Sequence, residues 1–94
     1  MDQFLHNAAH EVKNLEESFQ AIRDDSFHSS HYKYNLAHNH LMIASAVARL
    51  MWGYRGNEVD TLRDRLSELI SKLVRYQTAL EYDMDKEFFG GGDS

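Results

Sequence analysis

Apolar side chains recur along residues 59–80 at alternating steps of three and four: Val59, Leu62, Leu66, Leu69, Leu73, Tyr76 and Leu80. This spacing places an apolar residue at each a and d position of a heptad pattern, so the segment is predicted to be a helix lying along another helix. Asn57 with Asp60 three places on resembles a capping box that opens it. The helical pattern carries it to Phe89, roughly 45 Å of helix at about 1.5 Å per residue.

Upstream, residues 3–23 form a second amphipathic pattern, N-capped by Asp2, with Phe4, Ala8, Val12, Leu15, Phe19 and Ile22 on one stripe. Glu11, Lys13, Glu16 and Glu17 face water. Residues 24–30 have no periodicity and several turn formers, and read as a loop whose Ser29 or Ser30 caps the next helix.

Residues 31–54 differ in kind. Leu36, Ile43, Val47 and Leu50 make one stripe, while Tyr34, Leu41, Ala44, Ala48, Met51 and Trp52 fill much of the remaining circumference. A helix apolar nearly all round is expected to be buried nearly all round. Gly53 and Gly56 end it, Gly56 as the left-handed residue beyond the helix, and the tight connection makes the second and third helices antiparallel neighbours.

The predicted fold is therefore all-α: a three-helix up-down-up bundle over residues 1–89, followed by a flexible Gly-rich tail, residues 90–94. Two helices do not cover a central helix that is apolar on most faces. A further surface is implied, supplied by homodimerisation or by a partner, with Leu41, Ala48, Met51 and Trp52 as the interface candidates.

Composition agrees with helices. The chain has 94 residues, enough for one modest core, and contains no Pro to break the pattern. It has no Cys, which removes disulfides and thiolate chemistry and suits a reducing, cytoplasmic compartment. The first residues lack the basic and apolar regions of a signal peptide, and the apolar run 41–52 is too short to span a bilayer. A net charge of −5 argues against direct nucleic-acid binding and suits a basic protein partner.

Candidate chemistry is sparse. His6 and His10 are spaced i, i+4 and are the pair a metal ion would use, yet no His-Glu-x-x-His or Glu-x-x-His pattern completes a site. His40 falls in line with Leu36, Ile43 and Val47 and reads as a core or interfacial histidine with one hydrogen-bond partner; His28 and His31 flank the loop in solvent. The serines stand in no elbow or triad context, and the pairs Glu16-Glu17 and Asp24-Asp25 are adjacent, which on a helix turns them apart. No residue is assigned a catalytic or metal-binding role, and no cofactor is expected. Asp60, Asp64 and Glu68 do form a line at i+4 on the solvent side of the third helix, as a solvated face or as a docking stripe for basic side chains.

The order of features around residues 44–62 carries one resemblance: a Tyr-bearing apolar helix, Arg49, Tyr54-Arg55-Gly56, then Val59-x-x-Leu62 opening a charged helix. It resembles the helical N-terminal domain of the bacterial immunity proteins that neutralise PD-(D/E)xK-type nuclease toxins, over residues 3–80. In that family a Tyr stands three residues before the turn Gly, where this chain has Gly53, with Tyr54 one place later. The family's larger C-terminal domain has no counterpart in these residues. The resemblance implies a non-catalytic protein that occludes a cognate toxin, and it transfers no binding residue.

The sequence thus favours a small acidic protein that binds and inhibits a partner with a basic surface, a toxin or nuclease among them. The alternatives are a structural or regulatory homodimer, such as a phage or bacterial adaptor, and behind it a metal-binding bundle. The metal alternative has a direct check: replacing His6 and His10 with Ala, or adding chelator, is expected to leave the melting temperature unchanged within about a degree, because a structural metal contributes several kcal/mol to folding. A large chelator-induced loss of stability would reverse that weighting.

Overall fold

The computed structural model describes residues 3–90, with side chains to residue 86. Three helices follow one another, α1 (Gln3–Asp24), α2 (Ser30–Leu50) and α3 (Asn57–Gly90), with a short 3₁₀ turn, Met51–Gly53, after α2. No strand occurs among the described residues, and the fold is an all-α three-helix bundle. The Asp2 cap and the tail beyond Gly90 lie outside the described residues.

Cross-helix bonds establish the up-down-up order. Near the start of α2, the Tyr34 hydroxyl donates to Glu81 Oε1 at 2.8 Å, far along α3; at the other end, Arg63 near the start of α3 donates to the carbonyl of Met51 at 2.7 Å. Those two helices are antiparallel. Glu16 of α1 pairs with Arg65, and the Tyr76 hydroxyl reaches the Ile22 carbonyl at 3.5 Å, so α1 runs parallel to α3.

The core is the α3 seam closed by one stripe from each partner. Val59, Leu62, Leu66, Leu69, Leu73 and Leu80 are buried, and Tyr76 is half-buried with its ring edge-on to Phe19. From α1 come Ala8, Val12, Leu15, Phe19 and Ile22, each at the expected spacing. Gln77 is also buried, and its Nε2 has no hydrogen-bond partner.

The second helix departs from expectation. Within α2 only Ala37 and Ala44 are buried, and with Met51 in the following turn they form a seven-residue repeat against the seam. Small residues at a contact let two helix axes approach closely, and this stripe took the core position. Ile43, Leu50 and Met42 are left exposed, so the helix is not buried all round within this chain. His40 is half-buried with Nδ1 lacking the expected hydrogen-bond partner.

Local chemistry explains the connections. Ser29 caps α2, its hydroxyl accepting the Tyr32 amide. In the preceding loop the Asp25 carboxylate accepts the Phe27 amide at 2.7 Å and pairs with His28, and these bonds hold its carboxyl below the ordinary value. His28 is not simply solvated, since its ring stacks on Tyr32 with centroids 4.2 Å apart. Gly56 has φ 130, a conformation that favours glycine, and its carbonyl accepts the Asp60 amide at 2.9 Å. It therefore opens α3 instead of closing α2, which has already ended at Leu50.

Because Leu73 is fully buried at the middle of the seam, Leu73→Ala is expected to cost about 3 kcal/mol in urea denaturation, within the range for large-to-small core changes. A loss under about 1 kcal/mol would show that the seam is not the core.

Candidate functional site

The best-defined surface feature is the turn after α2. A helix end leaves its last carbonyls without intrahelical partners; at the end of α2 the Met51 amide faces those of Val47, Ala48 and Arg49, and the carbonyls of the turn beyond take a side-chain donor from the next helix. Arg63 Nη2 lies 2.7 Å from the Met51 carbonyl, 2.9 Å from that of Tyr54 and 3.3 Å from that of Trp52. The Tyr54 amide donates back to the Met51 carbonyl at 3.1 Å. The backbone is thus held at three points between Met51 and Tyr54 by one guanidinium.

Side chains anchor the same turn. Met51 is fully buried in the core, and the Tyr54 ring stacks on Phe4 with centroids 4.6 Å apart and planes 15° from parallel. Between these anchors Trp52 projects outward, 81% exposed, beside a shallow depression of about 350 Å³ that it lines with Arg55 and Arg63. Exposed Trp is uncommon on a soluble surface, and Trp with Arg is the pairing enriched at the energetic centres of protein interfaces.

The flank of α2 extends the apolar area. On a helical projection Ile43 and Leu50 lie seven residues apart on one face, 42% and 62% exposed, with Leu36 and Val47 half-buried beside them. Leu41 and Ala48 are half-buried against the chain's own core, and Met51 is wholly inside it. Of the four residues expected at an interface, Trp52 is the one whose side chain stands outside.

Asp60, Asp64 and Glu68 all lie on the exposed side of α3, away from the seam. Their charge is partly matched: Asp60 lies 4.0 Å from Arg63 and Glu68 3.3 Å from Lys72. Asp64 has no ion pair among the described residues. Exposed pairs of this kind contribute only about 0–1 kcal/mol, and Asp60 and Glu68 stay largely open to solvent, each side chain 67% exposed.

His6 and His10 are exposed on α1, and among the described residues no group of three or more His, Cys, Asp or Glu is arranged to hold a metal ion. Among the described residues no helix is long and apolar enough to cross a membrane. Compared with protein-family models, curated proteins and solved structures, the chain matches none.

Arg63 escapes sequence reading because it looks like any charged position on an amphipathic helix. The signal available was indirect: an apolar helix that ends in an irregular turn, followed nearly two turns into the next helix by an arginine able to reach the carbonyls of that turn.

Arg63→Ala is expected to cost about 1–3 kcal/mol, since it strips a charged donor from three carbonyls, one of them on a fully buried residue. Hydrogen exchange at the Gly53 and Tyr54 amides should accelerate more than at the middle of α2. Equal exchange in the two proteins would mean that the guanidinium does not hold the turn.

Proposed function

We propose that this chain is a non-catalytic binding protein: a small acidic inhibitor of the immunity type that covers a functional surface on another protein. The observation that carries this reading is Trp52, an exposed indole held on a turn fixed by Met51, Tyr54 and Arg63. A Trp carried on a fixed backbone has only its side-chain rotation left to lose on binding, so more of its burial converts into affinity than for one on a mobile loop. The exposed Ile43 and Leu50 add apolar area. Asp60, Asp64 and Glu68 supply the negative field that speeds encounter with a basic surface such as that of a nuclease. The resemblance to toxin immunity proteins supports the same class of partner; neither direct nucleic-acid contact nor membrane attachment is part of the proposal.

A second reading is favoured by one specific observation. The apolar stripe on α2 is continuous and helical, which suits a second copy of the same helix and hence a structural or regulatory homodimer.

The test pairs the purified chain with the products of the genes flanking its own, using titration calorimetry and stopped-flow mixing. The expected result is a complex with one such product that Trp52→Ala weakens by about 2 kcal/mol or more. Reversing Asp60, Asp64 and Glu68 to Lys should slow its association, an effect that fades as salt rises. A chain that binds none of them and instead dimerises at micromolar concentration, losing the dimer on Trp52→Ala, would replace the inhibitor with the homodimer.

A further inference from the structure

On a different pair of helices, the groove between α1 and α3 collects positive charge on a chain whose net charge is −5. Phe19, Arg23, Lys72, Arg75 and Tyr76 line a depression of about 390 Å³. It adjoins one of about 250 Å³ that shares Phe19, Arg23 and Lys72 and extends to Arg65. The acids Glu16 and Glu68 in the groove are already engaged, by Arg65 and Lys72 respectively.

Of the arginines lining the groove, Arg23 and Arg75 have no carboxylate partner among the described residues. Arg23 is held over the Phe19 ring, 5.6 Å from its centroid, and Arg75 uses Nε to donate to the Ser71 carbonyl at 3.4 Å. Arg23 sits in the last turn of α1, where the helix dipole favours a cation. Lys72 has a local partner in Glu68, one turn back on α3, whereas neither the dipole nor an acid gives such a reason for Arg75. Arg75 and Arg23 line one open groove whose floor includes the Phe19 and Tyr76 rings, an arrangement with the form of an anion site: two planar forks of the kind that match tetrahedral oxyanions in pairs.

We propose that the α1–α3 groove binds a phosphate-class oxyanion carried on a small molecule, held by Arg23 and Arg75. This site is independent of the Trp52 turn, and neither depends on the other being correct.

Amide-detected NMR titration of the whole chain with inorganic pyrophosphate, against sodium chloride at matched ionic strength, tests it. The expected result is saturable shifts centred on residues 19–23 and 72–76, with a Kd below about 1 mM, weakened at least about tenfold by Arg23→Gln with Arg75→Gln, a loss of about 1.4 kcal/mol. Should Arg23→Gln disturb α1 through its contact with Phe19, Arg75→Gln alone carries the test, because that side chain is exposed and bonds only its own helix. A parallel titration with ADP identifies the source of the phosphate: tighter binding than pyrophosphate at the same amides indicates a nucleotide, and equal binding the free anion. Shifts no larger than those from sodium chloride, or shifts centred elsewhere, overturn the site.

Discussion

Burial of the α3 seam from Val59 to Leu80 determines where everything else lies. Each apolar residue on that line needs cover, and α1 and α2 supply it from two sides with unequal means. The α1 stripe brings the bulk of Val12, Leu15, Phe19 and Ile22, whereas α2 brings Ala37 and Ala44 and so packs close. With the seam oriented inward, Arg63 comes within reach of the turn that ends α2, Lys72 and Arg75 fall beside α1, and Asp60, Asp64 and Glu68 face water. Both candidate binding features are thus consequences of how one helix is rotated.

The three helices, the α3 seam, the α1 stripe and a serine cap at Ser29 or Ser30 were legible in the sequence, because each rests on a periodicity or a cap that local chemistry enforces; the end of α2, at Leu50 and not Tyr54, was not. The face that α2 turns inward was not. A helix with apolar residues around most of its circumference offers several stripes of similar hydrophobicity, and the choice among them depends on fit against neighbours. Here the stripe with the smallest side chains was chosen, and the larger Ile43 and Leu50 were left outside. Gly56 shows the same limit on a smaller scale: its left-handed conformation was predictable, but its role at the start of α3 depends on where α2 ends.

Of the candidate site, the acidic line was read from spacing and stands on the exposed face of α3. The Arg63 contacts and the basic groove were hidden because they join residues distant in sequence: Arg63 with Met51 and Tyr54, and Arg23 with Lys72 and Arg75. Trp52 was singled out from sequence as an apolar residue in need of cover. The structure adds that its backbone is fixed while its indole is in water, a combination suited to recognition and of no use to the core.

The most direct measurement exploits the fact that this chain has a single Trp. Acrylamide quenching of Trp52 fluorescence, recorded with anisotropy decay across a dilution series, reports both its exposure and its freedom to move. The exposure of Trp52 predicts an indole as open to quencher as free tryptophan at every concentration, and its fixed backbone predicts a slow anisotropy component, from tumbling of the bundle, beneath the fast rotation of the side chain. An indole shielded from acrylamide even at high dilution, or an anisotropy decay with no slow component, would contradict an exposed anchor carried on a fixed turn.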